Sequence, residues 1–186
     1  MTTLSELPKD LPVPYDDGAC AHLQGMHLPE LSLASTHGEL ITLSTLTGTT
    51  VIYIYPMTGR PDTPLPVGWD QIPGARGCTP QSCSFRNHYS ELHSLNAQVY
   101  GLSTQATSYQ QEAVERLHLP FALLSDESLE LVKALSLPTL QIEGKTLIKR
   151  ITLICENGKI VKVFYPVFPP DKNAKDVISY LKKKKA

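Results

Sequence analysis

Thr50-Val51-Ile52-Tyr53-Ile54-Tyr55 is an uncharged run of β-branched, apolar and aromatic residues. A run without polar alternation suits a strand covered on both faces, so it is read as the central strand of the fold. Upstream, alternation over 31–36, a turn at His37-Gly38 and a return over 40–43 predict a hairpin. Downstream, after Pro56, a loop over 57–77 is dense in Pro and Gly and holds the only tryptophan, Trp69. Long loops inside compact domains are usually functional. Beyond it the pattern predicts a helix over 80–95, a strand over 98–103, a helix over 109–117, a short strand over 121–124 and a short helix over 129–135. Two further strands, 147–154 and 159–164, flank the hairpin turn Glu156-Asn157-Gly158, and a helix over 171–185 closes the chain. This order predicts an α/β sandwich with a mixed sheet, the first crossover helix following the central strand directly.

The chemistry is carried by Gly77-Cys78-Thr79-Pro80-Gln81-Ser82-Cys83. Cysteine reacts as its thiolate, and the amides of a helix start favour a negative sulfur. Thr79 is expected to cap the helix, with Pro80 in its first turn, which puts Cys78 at the positive end. Cys83, five positions on, suits a resolving thiol, because a sulfenic acid condenses with a neighbouring thiol to a disulfide. On an intact helix such Cα atoms lie roughly 8 to 9 Å apart, and a disulfide needs about 4.4 to 6.8 Å. The first turns must therefore unwind on oxidation. The competing readings are two inert buried thiols or half of a zinc site. Zinc usually takes closer cysteines, and His88 and His93 do not share helical ligand spacing. Of the other cysteines, Cys20 falls in an irregular arm and is read as a bystander or a second resolving thiol, and Cys155 as a buried strand residue.

At 186 residues, one core is expected. Seventeen basic and eighteen acidic residues give a net charge of -1, so no global field recruits nucleic acid or an anionic membrane. The start carries no basic-then-apolar leader pattern and no stretch is long enough for a membrane span, so a reducing cytoplasm is the expected location, with the cysteines as thiols. The run Lys182 to Lys185 is read as a solvated helix end.

Taken together, Gly77-Cys78-Thr79 with Cys83, Tyr55-Pro56, the 121–126 segment ending in Ser125-Asp126, and the strand that starts at Arg150 make the chain resemble a peroxiredoxin of the bacterioferritin-comigratory, or Q-type, group over residues 28–181. The resemblance implies a thioredoxin-like fold, a central mixed β-sheet flanked by helices with an N-terminal β-hairpin, spanning 28–186 after an irregular arm, 1–27. It implies that Cys78 is peroxidatic, Cys83 resolving and Arg150 the active-site arginine, with Pro56, Gly77 and Thr79 around the peroxide. Hydrogen peroxide and organic hydroperoxides are the implied substrates. Thioredoxin is the implied reductant, with glutaredoxin or glutathione as alternatives, and no metal or cofactor is implied. A monomer or a homodimer fits the group.

The chain departs from the group's Pro-x-x-x-Thr-x-x-Cys spacing, because the 57–77 stretch separates Pro56 from Cys78. Thr58, close to the strand end, and Thr63, in a Thr-Pro pair, are the candidates for the peroxide-orienting hydroxyl, with Thr58 preferred. Arg60, Arg76 and Arg86 are further candidate cations, for which exposure is the commoner outcome. Trp69 is expected to pack the loop down rather than line a pocket. A thiol:disulfide oxidoreductase is disfavoured by the wide cysteine spacing. The long insertion keeps open a redox sensor without turnover.

Overall fold

The structure is a computed structural model and describes residues 3–186, so the first two residues of the expected arm lie outside it. β1 (Ser32–Ser35) and β2 (Leu40–Thr42) form the N-terminal hairpin, and β3 (Thr49–Ile54) is the central strand. α1 (Cys78–Asn87) and α2 (Tyr89–Ser94) lead to β4 (Ala97–Ser103), and α3 (Thr107–Leu117) leads to β5 (Leu123–Ser125). α4 (Glu130–Leu135), the hairpin β6 (Thr139–Ile142) and β7 (Lys145–Ile148), the hairpin β8 (Ile151–Glu156) and β9 (Lys159–Phe164), and α5 (Asn173–Lys185) complete the chain.

Seven strands form one mixed sheet in the order β2-β1-β5-β4-β3-β8-β9. β3, β4 and β5 run parallel through helical crossovers, whereas β8 joins β3 antiparallel. The period of two along β3 divides the core. Val51, Tyr53 and Tyr55 face α1, α3 and α5, and Ile52 and Ile54 face α4, the arm residues Cys20 and Leu23, and Leu28 just after the arm. The arm, from Thr3 to Met26, forms turns and no helix or strand. In the β8–β9 hairpin, Asn157 and Gly158 both take positive φ, 48° and 78°, as a tight two-residue turn requires.

Four local expectations are corrected. The strand predicted over 147–154 is two strands in two sheets, because Lys149 and Arg150 leave both ladders: the Lys149 amide donates to the Pro138 carbonyl and the Arg150 side chain turns inward. The helix predicted over 80–95 breaks at His88, whose φ of -104° and ψ of 8° leave the helical region while its ring nitrogen and its amide share the Ser84 carbonyl oxygen, at 2.8 and 3.1 Å. Gly77, not Thr79, is the residue before α1, with Thr79 inside the first turn and Pro80 at a position that needs no amide partner. The β6–β7 hairpin, absent from the expected elements, packs Leu147 against Met57, Trp69 and Ala75 of the long loop.

The lysine run is partly tied down: Lys182 reaches Glu91 at 2.6 Å, Lys184 reaches Glu156 at 2.9 Å, and Lys185 donates to the Leu95 carbonyl. Among the described residues, no helix is long and apolar enough to cross a membrane.

Candidate active site

The sheet brings together two residues that are distant in sequence. β8 pairs antiparallel with β3 so that Ile151 lies opposite Ile54, which places Arg150 just past the C-terminal end of the central strand. α1 starts at the same end, and its first residue is Cys78. The turn into α1 needs glycine. Gly77 has φ 113°, and a Cβ there would lie 2.8 Å from a Leu7 methyl group and collide with the Pro170 ring.

Arg150 is 3% exposed, and its Nη2 donates to Cys78 Sγ at 3.2 Å. Its remaining donors go to the Gly74 carbonyl at 3.3 Å, the Ala75 carbonyl at 2.9 Å, the Arg76 carbonyl at 3.3 Å and Gln81 Oε1. Gln81 is held in turn by Asn173 at 3.0 Å, and Asn173 accepts from Thr152 at 2.7 Å. No carboxylate is among these partners. The buried guanidinium is fixed by neutral oxygens and keeps its positive charge directed at the sulfur. The Cys78 thiol as a donor lies 3.7 Å from the Ala75 carbonyl oxygen.

Beside Cys78 is a cavity of ≈ 10 Å³ lined by Leu4, Met57, Gly59, Leu65, Trp69, Arg76, Gly77 and Thr79. That is about the room of one water. Its apolar walls come from the arm and the 57–77 stretch. Trp69 both packs that stretch down, at 3% exposure, and lines the cavity. Arg76, expected to be exposed, is buried: it pairs with Asp70 at 3.0 Å and donates to the Thr3 carbonyl at 3.3 Å, which ties the arm to the loop. A larger groove continues outward past Leu65 and Thr79 to Arg60 and Arg116.

The candidate threonines separate. The Thr58 amide and hydroxyl both engage Gln105 Oε1, at 3.0 and 3.3 Å, and Thr58 does not line the cavity. Thr63 is exposed and bonds Asp62 at 3.2 Å. The place of threonine in the Thr-x-x-Cys spacing belongs to Ala75, which offers only its carbonyl. Among the described residues, Thr79 brings the one side-chain hydroxyl to the cavity. Pro56 is buried and, with Arg150, lines a different depression that Cys78 does not reach. Arg60 lies over the Tyr109 ring at 4.0 Å, and Arg86 donates to the Leu117 carbonyl, so neither bonds Cys78. Sequence reasoning missed Gln81, Asn173 and Leu4. Gln81 had a signal in its position one helical turn after Cys78, whereas Leu4 had none.

The other thiols are differently placed. Cys20 packs on the far face of the sheet and Cys155 lies within β8; burial pushes both up to about 12. At pH 8 the thiolate fraction of each is then about 10⁻⁴. Iodoacetamide at pH 8 is expected to leave both unmodified in the native protein and to label them after denaturation, read by peptide mass. Prompt native labelling of Cys155 would contradict its buried state.

A helix-start cysteine bonded to a buried arginine at the edge of a parallel β-α-β core defines a thioredoxin-like thiol protein. The Redoxin family model matches residues 23–178, and the chain belongs to that family. Within it the chain stands with the Q-type peroxiredoxins. It is 29% identical over 160 residues to peroxiredoxin Q, chloroplastic, of Populus jackii, covering 85% of this chain and 67% of that protein. It is 27% identical to the peroxiredoxin Q, chloroplastic, of Oryza sativa subsp. japonica over 159 residues, 85% of this chain and 66% of that one. The chain thus spans about two thirds of the length of these relatives. The peroxidoxin BcpB structure from Mycobacterium tuberculosis superposes with a TM-score of 0.70 at 23% identity, over 86% of this chain and 96% of that chain, and shares the fold.

Proposed function

We propose that the protein is a thiol-dependent peroxidase in which Cys78 attacks hydroperoxides and Cys83 resolves the product. The observation that carries this reading is the 3.2 Å bond from the buried Arg150 guanidinium to Cys78 Sγ beside a cavity with room for about one water-sized oxygen. The sulfur attacks the terminal oxygen in line with the O–O bond, the S–O bond forms as O–O breaks, and the departing alkoxide or hydroxide takes up a proton. Negative charge leaves sulfur for that oxygen, and Arg150, fixed in place beforehand, lies where both are formed. Thr79 and the amides at the α1 start orient the peroxide. Sulfenic acid on Cys78 then condenses with the Cys83 thiol, releasing water and leaving a disulfide that an external dithiol such as thioredoxin reduces.

One oxygen of hydrogen peroxide takes the room of a water beside Cys78, and the second extends towards the cavity mouth. Any larger hydroperoxide has to displace Leu4 or Leu65 and lie along the outer groove. A dithiol-reducible Cys78–Cys83 bridge belongs to a reducing compartment, here the cytoplasm, although the plant relatives are named as chloroplastic. One observation favours a second reading, a slow peroxide sensor: Ala75 stands where the family spacing places threonine.

The test is one equivalent of hydrogen peroxide on the reduced protein, followed by alkylation and peptide mapping. Loss of two hydrogens at Cys78 and Cys83 is expected, and a bridge elsewhere or unmodified thiols would overturn the assignment. Thr79→Val is expected to lower kcat/KM for hydrogen peroxide roughly tenfold, the worth of one hydrogen bond tightened in the transition state. An unchanged kcat/KM would return the orienting role to backbone amides.

A further inference from the structure

Tyr53 on β3 is fully buried, and its hydroxyl donates to the buried Ser82 hydroxyl of α1 at 3.0 Å. The Tyr53 ring stacks on Phe85, with centroids 4.5 Å apart and planes 7° from parallel, and meets Phe121 edge-on at 5.7 Å. Its seat depends on Gly101 of β4. A Cβ there would lie 2.8 Å from both Tyr53 Cζ and Oη and would collide with the Leu123 side chain. Burial holds the phenol well above its ordinary pKa, so it remains a donor across the physiological range.

Ser82 lies between Cys78 and Cys83. Both cysteines are within α1, so bridging them requires the turn between them to unwind. When that turn unwinds, Ser82 leaves Tyr53. Phe85 lies beyond Cys83 and can keep its stacking. The hydroxyl pair is therefore a tertiary bond that disulfide closure breaks and peroxide attack leaves intact.

We propose that Tyr53 is a positioning residue that latches the first turns of α1 through Ser82 and so sets the lifetime of the Cys78 sulfenic acid. The proposal rests on the reading of Cys78 and Cys83 given above. The sulfenic acid has two fates. It condenses with the Cys83 thiol to a disulfide and water, or its anion attacks a second hydroperoxide, giving sulfinate and the alcohol, or water from hydrogen peroxide. A closed latch delays the first fate and gives excess peroxide time for the second.

The experiment follows reduced protein through a rapid quench into alkylating reagent, with sulfenic, disulfide and sulfinic forms counted by mass. Tyr53→Phe keeps the stacked ring and removes the donor, and Ser82→Ala removes the acceptor. Each is expected to speed disulfide formation roughly fivefold, the factor set by one net hydrogen bond, and to lower the sulfinate yield at a fixed peroxide excess to match. The rate at which Cys78 is first oxidised stays as in the wild type. The double variant is expected to resolve no faster than either single one, because one bond is lost in all three. Ile160→Val, a buried change on the other face of the sheet, loosens the fold without touching the latch and is expected to leave resolution unchanged.

Wild-type resolution rates in both single variants, with the Cys78–Cys83 disulfide still forming, would overturn the latch and leave the peroxidase reading standing. Equal acceleration by Ile160→Val would overturn it too, by assigning the effect to general loosening. Absence of that disulfide from the wild-type protein would overturn both readings.

Discussion

Arg150→Leu is expected to slow the reaction of Cys78 with hydrogen peroxide by about 10²–10³-fold, the usual loss when one fixed donor to a developing charge is removed. Leucine fills part of the volume but leaves Cys78 Sγ without its cation. It also deprives the Gly74, Ala75 and Arg76 carbonyls and Gln81 Oε1 of their donor. Each buried acceptor so stranded costs about 1–3 kcal/mol, so a lower Tm is expected as well, and the rate has to be measured by stopped flow well below that transition. Arg150→Lys separates charge from geometry. An ammonium supplies the charge without the planar fork, and partial recovery at most is expected. Full activity in either variant would remove Arg150 from the mechanism and leave it as a structural tie among the loop carbonyls.

Cys78→Ser is expected to reduce peroxide consumption to the uncatalysed background. A serine hydroxyl does not ionise near neutral pH and has no base beside it here, so it offers peroxide no charged nucleophile. Cys83 cannot substitute, because it does not line the cavity and does not bond Arg150. Cys20 and Cys155, pushed up to about 12 by burial, remain thiols. Cys83→Ser makes the contrasting case: it is expected to consume one equivalent of peroxide in a burst, stop as the sulfenic acid, and pass to sulfinate under excess. Competitive peroxide kinetics with both variants tests the pair, and sustained turnover by Cys78→Ser would mean that another thiol carries the reaction.

The sequence carried the strong local signals. The β-branched run before Pro56 located β3, and Asn157-Gly158 located the second hairpin, because each pattern expresses a backbone preference of its own residues. Cys78 and Arg150 were visible as residues, and the antiparallel register of Ile54 with Ile151 explains why they meet. The rest depended on distant contacts. Residues 147–154 read as one strand because the apolar pattern continues across Lys149 and Arg150, and nothing local marks the point where the chain changes sheets. Thr58 looked well supported by the strand end, yet its hydroxyl is taken by Gln105 of a different loop. The burial of Arg76 depends on Asp70 and on the Thr3 carbonyl, a contact 73 residues away in the chain.

Trp69 is the chain's only indole and forms part of the wall beside Cys78. The intrinsic fluorescence excited at the red edge of protein absorption therefore originates next to the Cys78 sulfur. The native protein has an optical reporter built into this wall, and any emission change on adding peroxide would record that wall directly, free of background from a second tryptophan in the chain.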